Sequence, residues 1–531
     1  MSLIERNSIE VLFEEVHKLI SSKERILITI SVMVGTFMAI LDTTIVDVTL
    51  PKMMGPLSTD LYGIQWVITS YMIAAATALL FVENFSKYIG YSYTFIVGMI
   101  IFTVSSFFCA SATSLAQMIF FRSSQGIGEA FIMACAQTIL MLVYPPEKRG
   151  TALGIYGLGV SFAPALGPTV GGFITEYLNW RWIFYINIPI GILNIISSLI
   201  VLPKFIGKLK TFKFNFISYF FIAGATIFLL IMLSKGQQYG WFQSTFIINC
   251  LFISLISFCL FFASELFASL KFKNTLINWE IFKFPEYTWS IGFYFFIVGF
   301  GMYQIFYLLP LYYENLKGLT TFQAGVHMLP PTMLIGFFSI ISGILSDKLS
   351  PLPILFFNWI FFLIVTLFII PNLNYYTPAY EAILLTLPLG VCIGTFFAPL
   401  TTLAMKNLGK LTGLGVALIH YIRFLGGSFG TAIATNHLNR HTNEFFLRTN
   451  ELQNWFYVKQ FIYSKIPFIE KFFFTPIAEK KAKVLLYHAQ YIQALSWSFQ
   501  ETFRAVGFWG FIGGIFLIVL ILIKINITKL Y

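Results

Sequence analysis

The chain has 531 residues, of which 57% are hydrophobic and only 11% are charged, and its mean hydropathy is +0.79. A soluble domain carries about a quarter charged residues, so this composition excludes one and indicates an integral membrane protein. The formal net charge of +11 raises the question of nucleic acid as a partner. The five cysteines lie in apolar runs without CxxC spacing, so the sequence predicts neither a disulfide framework nor a metal site.

The first 24 residues predict a cytosolic amphipathic helix. Apolar residues recur there at helical spacing, opposite Glu and Lys side chains: Ile9, Leu12, Phe13, Val16, Leu19 and Ile20. We interpret segment 1–24 as a helix that rests on the membrane or on the helical bundle, and a partner-binding helix is the alternative. No cleavable signal peptide is predicted, because the segment has no apolar core.

Fourteen apolar runs are long enough to cross the roughly 30 Å hydrocarbon core of a bilayer. They fall at 26–50, 64–83, 94–113, 115–143, 150–175, 182–203, 214–234, 245–267, 289–313, 325–345, 352–371, 378–405, 411–437 and 506–526. The sequence therefore predicts an all-α membrane protein with fourteen transmembrane helices.

Orientation follows from the Lys and Arg residues of the loops, which favour the cytoplasmic side. With the N-terminus inside, the cytoplasmic segments contain 19 Lys and Arg, against 4 in the six short outer loops. Both termini are therefore predicted to be cytoplasmic, and the positive charge is a topology signal that argues against nucleic acid binding. Periodic apolar residues in the long outer loop at 438–505 predict amphipathic helices, which form either a solvated cap or a docking surface.

Ionisable residues deep inside predicted spans are costly in a bilayer and mark candidate functional sites. Six of them lie in spans 1, 4 and 13: Asp42, Asp47, Arg122, Glu129, His420 and Arg423. In a functional interpretation, a carboxylate in a water-accessible cavity takes up and releases protons, tuned by burial and a neighbouring Arg. In the structural alternative, these groups are neutralised packing pairs or donors to backbone carbonyls. Glu265, near the end of span 8, is expected either to extend its carboxylate to the membrane surface or to anchor a loop.

No catalytic motif accompanies these charges. The sequence lacks GxSxG, HExxH and Walker A patterns, and it has no ATP-binding domain. An enzyme is therefore not predicted, no cofactor is expected, and active transport would have to use an ion gradient.

Several sequence strings together resemble one family. Span 1 ends in LDTTIVDVTLP (41–51), span 4 contains FFRSSQGIG (120–128), and span 5 is followed by NWRWIFYINIPIG (179–191). A glycine and proline pattern in span 5 resembles an antiporter motif, through Gly159, Pro164, Gly167, Pro168, Gly171 and Gly172. On these motifs the chain resembles the 14-helix drug:proton antiporter branch of the major facilitator superfamily, of the EmrB/QacA type.

The resemblance implies two six-helix bundles with two helices inserted between them, working by alternating access. The expected division is 25–204 for the first bundle, 205–270 for the inserted pair, and 271–531 for the second bundle with the outer loop. The resemblance also implies export of lipophilic, often cationic drugs or toxic compounds across the inner (cytoplasmic) membrane in exchange for protons.

The resemblance also assigns roles to individual residues. Asp42 is implied to be the membrane-embedded acid, and Arg122 is implied to be linked to proton transfer, in a motif completed by Gln125 and Gly126. The glycines and prolines of 157–172 are expected to contact other helices, because lipid cannot form the hydrogen bonds that a broken helix leaves free. The resemblance favours a flexible or sealing seam between the bundles, and ordinary packing of small residues is the alternative. His420 and Arg423, in span 13, form a candidate functional site in the second half of the chain.

The chain departs from the family pattern at three positions. Lys87 occupies an acidic position in the loop after span 2, although a weak counterpart of that loop in the second half keeps Asp347. Asp47 replaces an expected Asn, and Glu129 replaces a small residue. These two extra acids near the cavity favour a cationic substrate or a different proton stoichiometry.

The expected partners are a small amphipathic substrate, protons and the lipid bilayer. Relatives of this type in double-membrane bacteria work with a periplasmic membrane-fusion adaptor and an outer-membrane channel, so the resemblance implies both as candidate partners. One alternative is a dedicated exporter of a single metabolite, siderophore, peptide or lipid. The other is a non-transporting membrane scaffold, which the buried charges disfavour because a scaffold does not need them.

Overall fold

The computed structural model describes residues 16–203, 214–271, 274–451, 460, 464–465 and 475–529. Within these residues the regular structure is helical, and fourteen helices are long and apolar enough to cross a membrane, which confirms the fourteen predicted spans. Most of the predicted amphipathic helix at 1–24 lies outside the described residues, which begin with a 3-10 turn at Val16–Leu19.

The first six membrane helices form one bundle around a central helix. They are α1 (Ser22–Met53), α2 (Trp66–Ile89), α3 (Tyr91–Ser111), α4 (Leu115–Val143), α5 (Arg149–Tyr177) and α6 (Trp182–Val201). The central helix is α4, which contacts α1, α2, α3 and α5. The start of α1 follows from local chemistry, because Ser21 and Glu24 form a capping box that satisfies free N–H groups.

The inserted pair consists of α7 (Phe216–Lys235) and α8 (Thr245–Lys271), which pack against each other. Glu265, near the end of α8, accepts hydrogen bonds from the backbone N–H groups of Leu276 and Ile277, at 2.9 and 3.3 Å. The predicted role of Glu265 as a loop anchor is therefore confirmed.

The second bundle contains the last six membrane helices. They are α9 (Pro285–Leu316), α10 (Thr321–Lys348), α11 (Pro351–Asn372), α12 (Ala379–Met405), α13 (Thr412–Glu451) and α14 (Thr475–Lys529). Helix α7 contacts both α2 and α13, so the inserted pair lies beside the junction of the two bundles. An even number of spans places the start of α1 and the end of α14 on one face, which we call the termini face. That this face is cytoplasmic stays a prediction.

The helices differ from the predicted boundaries at the outer loop 438–505. Helix α13 continues without interruption to Glu451, and α14 already begins at Thr475. The described residues of this segment therefore belong mostly to extensions of two membrane helices, joined where the Ser498 hydroxyl donates to the Leu438 carbonyl at 2.6 Å. Hydropathy located the spans but not their extensions, because a helix does not have to end where it leaves the lipid.

The two bundles meet along α5 and α10. A Cβ on Gly154 of α5 would lie 2.6 Å from the Ser339 carbonyl oxygen and 3.2 Å from the Cα of Gly343, both on α10. At the other end of this contact, a Cβ on Gly172 would lie 3.1 Å from the backbone of Phe322. Helices approach this closely only where small residues expose the backbone. The small residues of α5 and α10 therefore set the distance between the bundles.

Two acidic side chains link the bundles at the termini face. Asp347, at the end of α10, accepts hydrogen bonds from the backbone N–H groups of Gly150 and Thr151 in the first turn of α5, at 2.6 and 2.7 Å. Glu83, near the end of α2, lies against Gly413 in the first turn of α13, where a Cβ would overlap its carboxylate. Free N–H groups and the helix dipole stabilise a carboxylate at a helix N-terminus. Asp347 therefore connects the bundles by hydrogen bonds, and Glu83 by close contact with Gly413.

The departure from the family pattern at Lys87 has a structural counterpart. Lys87 forms an ion pair with Glu83, one turn earlier on α2, with a distance of 2.9 Å between the charged atoms. The Tyr91 hydroxyl donates to the same carboxylate at 2.9 Å. The acid that reaches α13 is thus supplied by Glu83, while the basic residue at position 87 holds it in place.

We expect that Gly154→Ala lowers the thermal stability of the protein in detergent. The added methyl group would collide with the α10 backbone, and overpacking of this kind costs about 1–3 kcal/mol. Gly224→Ala on α7 is the matched control, because its Cβ would meet only the Ser257 hydroxyl at an ordinary 3.6 Å. Melting temperatures from a thermal shift assay should therefore fall for the first variant alone, and equal values would contradict a tight contact between α5 and α10.

Candidate functional site

A buried ion pair joins α1 to α4. Arg122 Nη1 lies 2.6 Å from Asp42 Oδ2, and neither side chain is more than 1% exposed. The amide of Asn187 on α6 donates to the other carboxylate oxygen, Asp42 Oδ1, also at 2.6 Å. Donors therefore occupy both oxygens of Asp42, an arrangement that stabilises an ionised carboxylate away from water.

The guanidinium of Arg122 is held by further contacts inside the first bundle. Its Nη1 also donates to Gln125 Oε1 at 2.7 Å, and its Nε donates to the Val67 carbonyl at 3.3 Å. The Gln125 amide in turn donates to the Ser106 hydroxyl at 2.9 Å. On its open side the guanidinium lies over the ring of Tyr71, 4.1 Å from the ring centre. This contact adds cation–π attraction to the hydrogen bonds.

The spacing of the span 4 motif explains how α4 builds this arrangement. Arg122 and Gln125 are three residues apart, so they share a helix face and one hydrogen bond. The next residue is Gly126, and a Cβ there would overlap the Tyr71 carbonyl oxygen. The glycine thus lets α2 approach α4 closely enough for Tyr71 to cover Arg122. The motif residues act as one unit that positions the arginine.

A second group of buried polar side chains lies where the two bundles meet. Glu129 of α4 and Arg423 of α13 are 2% and 3% exposed, and their charges interact across the boundary. Tyr71, which covers Arg122, also neighbours Glu129. Seven side chains on five helices form this group, six of them buried and Tyr303 half-buried, and we call it the interface cluster: Tyr71, Glu129, Tyr156, Tyr294, Tyr303, His420 and Arg423.

The interface cluster is poor in internal hydrogen bonds. Within the described residues, Glu129 Oε2, Arg423 Nε and both ring nitrogens of His420 are buried without a hydrogen-bond partner. The Tyr294 hydroxyl is in the same situation, and the Tyr71 hydroxyl faces the Glu129 carboxylate without reaching the geometry of a normal hydrogen bond. It thereby differs from the Asp42–Arg122 pair, whose charged groups are fully engaged.

The position of Arg423 depends on an irregular stretch of α9. Residues Phe295–Met302 form a π-helical segment, a rare geometry that is frequent at functional sites. A Cβ on Gly426 of α13 would lie only 2.8 Å from the Cα of Gly299 in this segment. One residue later, a Cβ on Gly427 would lie 3.1 Å from the ring of Tyr303. The glycines that follow Arg423 therefore bring α13 against the tyrosines of α9.

The antiporter motif residues all lie within the uninterrupted helix α5: Gly159, Pro164, Gly167, Pro168, Gly171 and Gly172. A Cβ on Gly167 would lie 3.0 Å from the Thr44 backbone, and one on Gly171 would lie 3.2 Å from the Ile45 carbonyl, both on α1. Gly172 instead faces α10. The motif residues thus let α5 pack closely against α1 of its own bundle and against α10 of the other. That this contact seals the protein against leakage stays a prediction.

The structure divides the predicted site residues into two groups. Asp42, Arg122, Gln125 and Gly126 form the unit inside the first bundle, whereas Glu129, His420 and Arg423 belong to the interface cluster. Asp47 is part of α1, but its side chain lies outside the part of the chain that the structure describes. In the described residues, no group of three or more His, Cys, Asp or Glu side chains could hold a metal ion.

Two residues of the site were missed by reasoning from sequence. Asn187 falls within the string at 179–191, and a polar residue inside an apolar span was a signal that could have identified it. Tyr71 gave no comparable signal, because aromatic residues make up 18% of the chain. Only the packing of α2 against α4 distinguishes this ring from those that face lipid.

We expect the variants Asp42→Asn and Arg122→Gln to be less stable singly than together. Each single substitution leaves a buried charge without its partner, which costs about 3–5 kcal/mol, whereas the double variant removes both charges. Melting temperatures of the purified variants in one detergent would measure the difference. If the melting temperature of the double variant fell by as much as the two single decreases added together, the two charges would not be coupled.

Comparisons with known proteins agree with the motifs. A sequence model of the Major Facilitator Superfamily matches residues 32–431. The Multidrug export protein EmrB of Escherichia coli (strain K12) is 28% identical over 424 residues, which cover 79% of this chain and 81% of that protein. The Riboflavin transporter RibZ of Clostridioides difficile (strain 630) is 27% identical over 445 residues, covering 81% and 94%. The resemblance to the EmrB type is thereby confirmed.

Solved structures show the same fold at low sequence identity. The proton:xylose symporter XylE aligns with a TM-score of 0.60 at 13% identity, over 94% of this chain and 96% of that one. The human organic anion transporter MFSD10 aligns with a TM-score of 0.56 at 11% identity, over 92% and 99%. With its fourteen apolar helices, the chain therefore belongs to the major facilitator superfamily and is a multi-pass membrane transporter, not an enzyme.

Proposed function

We propose that this transporter is a proton-coupled antiporter that exports lipophilic or cationic drugs and toxic compounds across the inner (cytoplasmic) membrane. The observation that supports this proposal is the Asp42–Arg122 ion pair, buried inside the first bundle at 2.6 Å. Similarity to a protein named for multidrug export supports the direction and the breadth of transport.

Asp42 is the proton acceptor in this mechanism. Protonation neutralises its carboxylate and ends the ion pair, while Arg122 keeps its contacts with Gln125 and the Val67 carbonyl. The guanidinium then has no carboxylate in direct contact, a state that costs several kcal/mol in a buried environment. Proton binding therefore favours a rearrangement of α1 against α4, and the proton is coupled to the switch between the two access states.

Helix α5 is positioned to pass this rearrangement to the second bundle. It packs closely against α1 at Gly167 and Gly171, and it packs closely against α10 at Gly154 and Gly172. Such tight contacts between helices are bistable rather than continuously deformable. We assign the antiporter motif the role of a sealed sliding contact that limits leakage while the bundles move.

The extensions of α13 and α14 are the proposed contact for a periplasmic membrane-fusion adaptor, which in turn would reach an outer-membrane channel. Both helices continue beyond the predicted spans and carry exposed apolar side chains, among them Leu447, Val484 and Tyr487. Co-purification with an adaptor protein encoded beside this chain would support the assignment. Full extrusion activity in cells that lack every adaptor would contradict it.

A dedicated exporter of one compound is the second candidate. The similarity to a protein named as a riboflavin transporter favours this candidate, because the name gives one metabolite as the compound that is transported. Transport of several unrelated dyes by the reconstituted protein would reject this alternative, whereas transport restricted to one chemical scaffold would support it.

We expect Asp42→Asn to abolish proton-coupled efflux. An amide keeps the size of the side chain but cannot release a proton at any pH used in the assay. Proteoliposomes loaded with a cationic dye and given an imposed proton gradient would report dye release and internal pH together. The wild type should exchange protons for dye, and the variant should lose both signals.

Asp60→Asn is the matched control for that experiment. Asp60 is an exposed aspartate that caps a short helical turn through the Gly63 N–H, and asparagine can make the same hydrogen bond. This control should transport like the wild type. Proton-coupled release that survives in Asp42→Asn would refute the assignment of Asp42, and absence of any proton flux in the wild type would refute antiport.

A further inference from the structure

The interface cluster carries its two opposite charges on opposite bundles. Glu129 lies on α4 of the first bundle and Arg423 on α13 of the second, and these two helices contact each other, which brings the two charges within electrostatic range. The other buried charges nearby, Asp42 and Arg122, already compensate each other at 2.6 Å. The cluster therefore presents one negative and one positive group to whatever binds between the bundles.

Both charged groups have capacity for an additional partner. Glu129 Oε2 and Arg423 Nε are buried without a hydrogen bond from the described residues, and so are both ring nitrogens of His420. These three side chains are 2%, 3% and 0% exposed, respectively. Buried polar groups are nearly always hydrogen-bonded, so unpaired ones at a moving interface point to a ligand that supplies the partners.

A ligand of a single charge does not match this arrangement. A cation pairs well with Glu129 but is repelled by Arg423, and an anion pairs with Arg423 but is repelled by Glu129. Away from water such like-charge contacts are poorly screened and weaken binding strongly. A ligand that carries both charges avoids either penalty, and each of its ends replaces one half of the Glu129–Arg423 interaction.

Aromatic rings provide the remaining surface of the cluster. Tyr71 lies beside Glu129, and Tyr156, Tyr294 and Tyr303 surround Arg423. Tyrosine rings offer flat apolar faces together with a polar hydroxyl, a combination that suits an aromatic body with polar substituents.

We propose that the interface cluster binds an aromatic zwitterion, whose cationic group pairs with Glu129 and whose anionic group pairs with Arg423. This inference rests on the proposed exporter function and defines its substrate class. Within the proposed range of compounds it favours zwitterions over simple cations, because Arg423 lies on the other side of the boundary from Glu129.

The same pairing makes substrate and proton compete for Glu129. A bound proton and a bound cationic group each neutralise the carboxylate, so binding of one weakens binding of the other, as antiport requires. The charged or titratable groups that face Glu129 come from each helix around it: Asp42 of α1, Tyr71 of α2, Arg122 of α4, Tyr156 of α5 and Arg423 of α13. His420 faces Arg423 rather than the carboxylate.

The test compares three charge forms of one aromatic scaffold. Ciprofloxacin is a zwitterion with a carboxylate and a secondary amine, its methyl ester is a cation, and its N-acetyl derivative is an anion. Equilibrium dialysis against the purified full chain, read by ligand fluorescence, gives a dissociation constant for each form. We expect the zwitterion to bind about tenfold or more tightly than either derivative, a ratio that one charged hydrogen bond supports.

Two substitutions should change this preference in opposite directions. Arg423→Gln should remove the advantage of the zwitterion over the cationic ester, and Glu129→Gln should remove its advantage over the anionic N-acetyl form. The measured quantity is a ratio of affinities within one preparation, which partial unfolding does not alter. Glu176→Gln, at an exposed position on α5, is the matched control and should leave all three ratios unchanged.

Three results would overturn the inference. They are failure of the zwitterion to bind, equal binding of all three forms by the wild type, and ratios that do not respond to the two substitutions. The dialysis uses no gradient, so its outcome is independent of proton coupling. Proton-driven dye efflux together with equal binding of the three forms would reject only the zwitterion site, whereas charge-selective binding without proton flux would reject only the antiport mechanism.

Discussion

The arrangement of the whole molecule depends on the close contact of α5 with α10. Small residues on both helices let backbone meet backbone, as where a Cβ on Gly154 would lie 2.6 Å from the Ser339 carbonyl oxygen. The Asp347 carboxylate then binds the first turn of α5 and fixes the register of the two helices. This contact sets the distance between the bundles, and that distance places Glu129 within electrostatic range of Arg423.

Two kinds of buried charge coexist around this contact, and they differ in how well they are compensated. Asp42 and Arg122 lie within one bundle, and asparagine, glutamine and backbone groups complete their hydrogen bonds. Such a pair is stable until a proton removes one of its charges. Glu129 and Arg423 lie on different bundles and keep unpaired atoms. In the proposed mechanism the first pair responds to the proton, while the second remains free for a ligand.

Much of this organisation was predictable from the residues. The fourteen spans were predicted from the length of the apolar runs alone, since the thickness of the bilayer sets a minimum length for each helix. The ionisable residues in the spans identified nearly every charge of the site, because no other role offsets their burial in lipid. The missed contributors were Asn187, whose polar side chain inside an apolar span was a usable signal, and Tyr71, whose residue type is too common in this chain to stand out. The continuity of α13 and α14 with the outer segments was also missed, because hydropathy changes at the membrane surface while helical hydrogen bonding does not.

The sequence by itself determined the class of the protein, the number of its spans and the residues that carry charge into the membrane. These properties depend on single residues or on short runs of residues, so they can be predicted from the hydrophobicity and charge of neighbouring residues in the chain. Only the tertiary structure decided which charges face each other. Glu129 and Arg423 are almost three hundred positions apart in the chain, and their proximity results from helix packing between two bundles. The charge balance of the interface cluster, and with it the proposed substrate class, is therefore a property of the folded molecule.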